Sequence, residues 1–127
     1  MVMKMLVYAR TRFVAFHQWE NAPEEYKYLA SVHRHEFHIE VGVKVDVSDR
    51  GVEFHHLKAT LDREIKFIYG KYFNDFGGYI AEPTPIKESC EAIAMRLGSA
   101  LRSGYQYNVV YVDVSEDGEC GGRVVYE

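Results

Sequence analysis

Three histidines in the first third of the chain have the type and spacing of a metal site. His33 and His35 are two residues apart at the head of an alternating run, and His17 closes another alternating run upstream. Successive side chains of a strand point to opposite faces, so His33 and His35 project from one face, with about 6 to 7 Å between their α-carbons. Both rings can then reach one zinc ion at about 2 Å. If the two runs are neighbouring strands, three imidazoles with an open fourth position predict a catalytic rather than a structural zinc site.

The other histidines and the two cysteines are given structural roles. His38 alternates to the opposite face of its strand and is predicted to lie at the surface. His55 and His56 fall at the start of a predicted helix, where contact with solvent or helix capping is favoured over ligation. Cys90 and Cys120 are far apart in sequence and fit neither a paired zinc motif nor a disulfide framework, so free thiols in a reducing compartment are expected.

Length and composition limit the kind of protein that could contain such a site. The 127 residues, 47% of them hydrophobic, predict a single domain over residues 1–127 with its own core. A formal net charge of -4 argues against a nucleic-acid partner, because no basic surface is apparent. No apolar run reaches the roughly 18 residues of a membrane span, and the start of the chain lacks a signal-peptide pattern. We therefore expect no membrane partner and a cytoplasmic location.

Alternation of apolar and polar residues predicts two long strands in the first half of the chain, at 3–17 and 33–45. Between them, residues 18–30 are predicted to form a loop with one helical turn, which is either a lid over the site or an ordinary connection. A turn over Ser48–Gly51 then predicts a short returning strand, Val52–Phe54.

Two helices are predicted after these strands. Leu57, Leu61, Ile65 and Ile68 form the apolar stripe of the first helix, which Gly70 ends or kinks. The second helix is predicted to use Thr84 as its N-cap and Pro85 as its first residue, and to stop at Gly104. Its predicted core stripe is Ile86, Cys90, Ile93, Ala94, Leu97 and Leu101. Cys90 is therefore interpreted as a small core residue.

The chain ends in two further predicted strands. Val110, Val112 and Val114 share a face of the first, and Glu116 continues that face. A carboxylate on an apolar face is uncommon unless it is exposed beyond the strand or paired, so Glu116 is a candidate for binding a ligand that carries N–H donors. The final short strand is predicted at Arg123–Tyr126, after a glycine-rich turn.

Five segments together resemble one enzyme family. They are Phe13–His17, His33–Phe37, Val52–Lys58, Tyr72–Asn74 and Val112–Glu116. In this order and spacing, across nearly the whole chain, they resemble the 6-pyruvoyl tetrahydropterin synthase and 6-carboxytetrahydropterin synthase family.

The resemblance implies a fold and an assembly. The fold is the tunnelling fold, an α+β arrangement in which a four-stranded antiparallel sheet carries two helices on one side. The family's subunits close into a barrel, and its trimers pair into hexamers, so a homo-oligomer of this kind is expected here. Apolar residues on both faces of the strands fit such an assembly, because closure removes exposed edges.

The resemblance also implies a site. His17, His33 and His35 would be ligands of a zinc cofactor, and Glu116 would anchor the ring of a pterin or purine-like base. Ile86 and Lys87 match a pair of residues that line the base pocket in the family. The family's zinc orients and acidifies the side-chain hydroxyls of dihydroneopterin triphosphate, from which triphosphate is eliminated.

The sequence departs from the family pattern at the groups that transfer protons. No cysteine lies near Leu29–Ser31, where the family has its catalytic cysteine, and Ile68–Gly70 replaces the family's Asp-His dyad. Arg34 stands where the family has a glycine between the zinc histidines. No catalytic residue is therefore assigned. The candidate replacements are Glu24, Glu25, Tyr69 and Cys120, with Glu25 favoured because some branches of the family use a glutamate.

Two functions remain open on these grounds. The first is a divergent zinc-dependent lyase that acts on dihydroneopterin triphosphate or a related precursor in pterin or deazapurine biosynthesis. The second is a pseudoenzyme that keeps the zinc site and the base anchor and binds a pterin or purine nucleotide without converting it. Loss of general acid and base groups, each worth about 100- to 10,000-fold, favours the second.

Overall fold

The computed structural model describes residues 3–46, 50–73 and 84–127. Strands β1 (Met5–His17) and β2 (His33–Val45) come first, and helices α1 (Phe54–Tyr69) and α2 (Cys90–Gly104) follow. Strands β3 (Val109–Glu116) and β4 (Cys120–Val125) end the described chain. Short 3-10 helices at Glu24–Ala30 and Gly70–Tyr72 follow β1 and α1. The predicted α+β class with four strands and two helices is confirmed.

All four strands form one antiparallel sheet in the order β1-β2-β3-β4. The β1–β2 pair is regular over its whole length, and its register sets Phe13 opposite Phe37 and His17 opposite His33. Because the side chains alternate in both strands, every residue on the histidine face of β1 meets one on the histidine face of β2. The register therefore brings the histidines to one end of the sheet.

Both helices cover the same face of the sheet. On that face Phe37, Ile39 and Val41 of β2 are at most 1% exposed, and the buried apolar residues of the helices are at most 7% exposed. Helix α1 packs mainly against β1, and α2 packs against β3 and β4. The buried helix residues are Leu57, Thr60, Leu61, Ile65 and Tyr69 in α1 and Cys90, Ile93, Ala94, Leu97, Gly98 and Leu101 in α2. The core thus lies between the helices and one side of the sheet, as predicted.

The predicted start of the second helix was wrong. Helix α2 begins at Cys90, and its N-cap is Ser89, whose hydroxyl accepts a hydrogen bond from the N–H of Ala92 at 3.2 Å. Thr84 and Pro85 precede it as irregular chain, because the backbone of Ile86 pairs with β1 rather than entering a helix. Serine caps a helix as well as threonine does, and the contact of Ile86 with β1 keeps the residues before Ser89 outside the helix.

Three smaller predictions also differ from the structure. Val52–Phe54 is not a strand, because Glu53 caps α1 by accepting the N–H of His56 at 3.0 Å. Val109 rather than Val110 is buried at the start of β3, because the register shifts at a bulge between Gly42 and Val43. Strand β4 begins at Cys120, three residues earlier in the chain than predicted.

Part of the predicted turn at Ser48–Gly51, and Asn74 of the Tyr72–Asn74 segment, lie outside the described residues. Among the described residues, no helix is both long and apolar enough to cross a membrane.

Candidate metal centre

One ring nitrogen from each of His17, His33 and His35 lies within 4.8 Å of the other two. His17 is the last residue of β1, whereas His33 and His35 open β2. Antiparallel pairing of the two strands sets His17 opposite His33, so all three rings project from one end of the sheet on the side of the helices. The structure thus brings together the three residues that spacing had singled out.

His17 and His33 each donate a hydrogen bond from one ring nitrogen to a backbone carbonyl. His17 Nε2 donates to the carbonyl oxygen of Glu88 at 2.7 Å, and His33 Nδ1 donates to that of Ser31 at 2.7 Å. A carbonyl oxygen can only accept, so the proton of each neutral ring is on the bonded nitrogen. The lone pair is then on the other nitrogen, which is the one able to bind a metal.

His35 has a carboxylate in the same role. Its Nδ1 donates to Oδ2 of Asp117 at 2.7 Å, and Oδ1 of that carboxylate accepts the backbone N–H of Glu36 at 2.9 Å. The Glu36 N–H, together with the His35 ring, holds the pKa of Asp117 below its usual value. The carboxylate therefore stays ionised and accepts the Nδ1 proton in a hydrogen bond, which leaves Nε2 as the nitrogen through which the neutral ring can bind a metal.

Two of the free nitrogens are buried without a hydrogen-bond partner among the described residues: Nδ1 of His17 and Nε2 of His35. Oε1 of Glu116 lies 3.3 Å from the first, and Oε2 lies 3.2 Å from the second. Buried polar atoms are almost always satisfied, so two orphaned nitrogens facing one point indicate a missing electron-pair acceptor. A nearby carboxylate favours a positive charge there, and three imidazoles are a donor set that suits zinc.

Burial keeps His17 in the form that binds metal. The side chain is 10% exposed, and burial lowers the pKa of His17 below its ordinary value, against the opposing effects of the Glu88 carbonyl and Glu116. The neutral imidazole is thus favoured near pH 7, and only the neutral ring has a free lone pair. His17 can therefore bind a metal ion without prior deprotonation.

A cleft of about 710 Å³ opens beside the three histidines. Trp19, the chain's only tryptophan, and Leu29 give it an aromatic and an apolar wall, while Lys87 and Glu116 provide charge. The other lining residues are His17, Gln18, His33, Ser89, Cys90, Glu91, Cys120 and Gly121. This volume, with apolar walls and a few polar groups, is typical of a site for a small molecule.

The whole architecture matches solved structures. An uncharacterized protein of Wolinella succinogenes superposes with a TM-score of 0.68 at 15% identity, over 99% of this chain and 100% of that one. The 6-pyruvoyl tetrahydropterin synthase of Caenorhabditis elegans superposes with a TM-score of 0.63 at 13% identity, over 98% of this chain and 97% of that one. This chain has the pterin-synthase fold.

The likeness is structural. No family model matches the sequence, and a search of curated proteins finds no match. The fold implied by the sequence resemblance is confirmed, with its four-stranded antiparallel sheet and its pair of helices.

Within the pterin-synthase fold, Ile86 and Lys87 lie in different surroundings. Ile86 is 1% exposed and belongs to the core, and it does not line the cleft. Lys87 is exposed, lines the cleft and forms an ion pair with Glu20 at 2.8 Å. The pair of residues therefore reaches the cleft through Lys87, while Ile86 supports the strand that ends in His17.

Of the four candidates for a replacement acid or base, Cys120 lines the cleft. Glu24 and Glu25 are exposed in the 3-10 helix, where Glu24 lies 3.7 Å from Lys27, and neither lines the cleft. Tyr69 is fully buried and donates to Oε2 of Glu88 at 3.3 Å. Burial, with the Glu88 charge, raises the pKa of Tyr69 far above its usual value, so it keeps its proton.

Sequence reasoning missed three residues of this site. Asp117 reaches His35 from a distant turn, and Trp19 forms a wall of the cleft. Cys90 was predicted to be a core residue, and it is 7% exposed, but it also lines the cleft, with Sγ 3.9 Å from Oε1 of Glu116. The sequence did contain one signal for Asp117, because it is an aspartate at a predicted turn directly after Glu116, a candidate site residue.

Proposed function

We propose that this protein is a divergent pterin synthase that binds zinc through His17, His33 and His35 and acts as a lyase on a pterin or related deazapurine precursor. One observation carries the proposal: three histidines each have one nitrogen bonded to an acceptor and the other directed to a shared point beside a cleft. This is how ligating histidines are held in zinc enzymes. Dihydroneopterin triphosphate is the first substrate to test.

The cleft suits a planar ring with a charged substituent. Trp19 offers a face for stacking, and the carboxylate of Glu116 can accept N–H groups from the edge of a pterin or purine-like base. Lys87 lies at the same cleft with its ammonium group beside Glu20. An anionic substituent on the ring would replace Glu20 as the partner of the Lys87 ammonium group.

Zinc bound at this site would act as a Lewis acid that acidifies a substrate hydroxyl. Cys120 is the one replacement candidate that lines the cleft, beside Glu116, its partner in the β3–β4 pair. The lyase proposal therefore assigns proton transfer to Cys120 among the candidates on this subunit.

The test is turnover by zinc-loaded protein. Dihydroneopterin triphosphate is incubated with the protein, and the release of triphosphate is followed together with the new pterin product. We expect product from the wild type, none from His33→Ala, and unchanged activity from His38→Ala, whose ring lies on the opposite face of β2. Unchanged substrate with fully metal-loaded wild type would refute the lyase.

A pseudoenzyme that binds the ring without converting it is the second candidate. The observation favouring it is Tyr69, which replaces an acidic group of the family's dyad and is committed to a buried hydrogen bond with Glu88. Titration of Trp19 fluorescence with pterins and guanine-like ligands would test binding alone. Glu116→Gln should weaken binding while Glu119→Gln, in the neighbouring turn, should not. Equal affinities in the two variants would refute the anchoring role of Glu116.

The same proposal includes a homo-oligomer, a hexamer built from two trimers, in the cytoplasm. The outer edges of β1 and β4 have no neighbouring strand in the described chain, and Met5, Leu6 and Tyr8 of β1 are more than a third exposed. Long apolar edges are usually covered in native proteins, and pairing between subunits would cover them. Both cysteines are free thiols, as suits a reducing compartment. Light scattering on the purified protein would test the assembly, and a monomer would refute it.

A further inference from the structure

We infer that Asp117 is a positioning residue that fixes the tautomer and ring orientation of His35, so that Nε2 faces the metal. This inference rests on the proposed metal site. It adds a residue that neither the sequence pattern nor the resemblance marked.

Three hydrogen bonds lock Asp117 to the start of β2. Oδ2 accepts from His35 Nδ1 at 2.7 Å, and Oδ1 accepts from the backbone N–H of Glu36 at 2.9 Å. The N–H of Asp117 itself donates to the carbonyl oxygen of Glu36 at 2.7 Å. Both carboxylate oxygens are therefore engaged, and the backbone is fixed to the strand that carries His35. A carboxylate held at three points has little freedom to release the ring.

The backbone at Asp117 is built for this contact. It has a φ of 56°, in the left-handed region, and the next residue, Gly118, has a φ of 73°. The turn is closed by the N–H of Glu119, which donates to the carbonyl oxygen of Glu116 at 3.0 Å. Left-handed backbone is uncommon outside glycine, and aspartate and asparagine tolerate it best. The turn thus adopts a less favourable backbone conformation at Asp117, the residue whose side chain contacts His35.

The carboxylate differs from the partners of the other two rings. His17 and His33 donate to neutral backbone carbonyls, whereas His35 donates to an anion. A carboxylate accepts and does not donate, so it requires the proton on Nδ1 and the lone pair on Nε2. The negative charge also makes the ring a stronger donor toward a cation. Of the three rings, His35 is therefore the one whose affinity for the metal depends on a side chain that can be replaced.

Asp117→Asn tests the inference with almost no change of shape. The amide oxygen can still accept the Glu36 N–H, and asparagine tolerates the left-handed backbone. Its NH₂ group, however, faces Nδ1 of His35 as a donor and favours the tautomer with the proton on Nε2. We expect the dissociation constant for zinc, measured by chelator competition, to rise by about 10- to 100-fold. Glu119→Gln, in the same turn, is the matched control and should bind zinc like the wild type.

Asp117→Gly is a second variant that protects the test against misfolding. Glycine suits a φ of 56° without strain and removes the carboxylate. It should also weaken zinc binding, while circular dichroism and the urea midpoint show that the fold is intact. If both variants bind zinc with the affinity of the wild type, the inference is wrong.

The tautomer is measured directly on metal-free protein with ¹⁵N-labelled histidine. At a pH where the ring is neutral, nuclear magnetic resonance should place the His35 proton on Nδ1 in the wild type and in Glu119→Gln, and on Nε2 in Asp117→Asn. This readout separates the two proposals. A wild type that binds no zinc refutes the proposed function, whereas a tautomer unaffected by Asp117→Asn refutes the positioning role.

Discussion

The backbone of Ile86 forms hydrogen bonds with both residues that flank His17 in sequence. The N–H of Ile86 donates to the carbonyl oxygen of Phe16 at 2.8 Å, and its own carbonyl accepts the N–H of Gln18 at 3.0 Å. Two residues further along, the carbonyl oxygen of Glu88 accepts a hydrogen bond from Nε2 of His17. The segment before α2 therefore fixes both the main chain and the ring of one predicted zinc ligand.

Ile86→Ala should lower the free energy of unfolding by about 2 to 5 kcal/mol, because the side chain is 1% exposed and its removal leaves a cavity. Lys87→Ala, at an exposed position, should change it by no more than about 0.5 kcal/mol. Urea unfolding followed by circular dichroism measures both. Weaker binding of a pterin by Ile86→Ala at unchanged stability would instead support the role in the base pocket that the resemblance implies.

Zinc should stabilise the folded protein through the three histidines. A ligand that binds only the folded state adds about 2.7 kcal/mol when its free concentration is 100 times its dissociation constant. Thermal unfolding with and without zinc should therefore show a higher midpoint with the metal, reversed by a chelator. His35→Ala should abolish the shift, whereas His38→Ala should retain it. A wild-type midpoint insensitive to zinc and chelator would contradict the assignment of the metal site.

Strands and histidines were predictable because their information is local. Alternation over 33–45 gave the bounds of β2 and the face that carries His33 and His35, and the same period placed His17. The period of a strand is fixed by backbone geometry, so neighbouring residues suffice to reveal it. The resemblance then supplied the single four-stranded antiparallel sheet with both helices on one side, which depends on contacts between distant segments.

The remaining errors arose where distant contacts decide. Asp117 and His35 are 82 positions apart, and no periodic pattern links a turn aspartate to a ring on another strand. The start of α2 was misplaced at Thr84, because the pairing of Ile86 with β1 keeps Thr84 and Pro85 outside the helix, and Ser89 caps it instead. Capping preferences show which residues can begin a helix, but tertiary contacts decide at which of them the helix begins.

The two cysteines should react at very different rates with a thiol reagent. Cys120 is exposed, while Cys90 is 7% exposed, and burial, together with the Glu116 charge, raises the pKa of the Cys90 thiol to about 12. Only the thiolate reacts, so one thiol per chain should react quickly at pH 8 and both should react in urea. Cys120→Ser should remove the fast phase. Two fast thiols in the folded wild type would contradict the structure around Cys90.

The same thiol predicts a loss of stability in alkali. The pKa of Cys90 rises from 9.0 to about 12 on folding, so between these values the folded protein binds more protons than the unfolded chain. Stability contributed by this group is therefore complete below pH 9 and decreases as the pH rises toward 12. Urea unfolding of metal-free protein at pH 7 to 10 should show a shallower decline for Cys90→Ala than for the wild type. Equal slopes would mean that the thiol is not held protonated.

Gly121 should be intolerant of any side chain, because the backbone of β3 lies very close to it in the antiparallel β3–β4 pair. A β-carbon at this position would lie 2.0 Å from the carbonyl oxygen of Val114 and 2.6 Å from Cα of Ser115. Backbone atoms cannot rotate away, so Gly121→Ala must displace β4, at a cost of about 1 to 3 kcal/mol typical of overpacking. Gly104→Ala, at the end of α2 with no atom within 4 Å of the added carbon, is the control and should be neutral. Because Cys120 and Glu116 pair beside this position, the displaced strand should also weaken ligand binding in the cleft. A Gly121→Ala protein with wild-type stability would show that the two strands are not in close contact at Gly121.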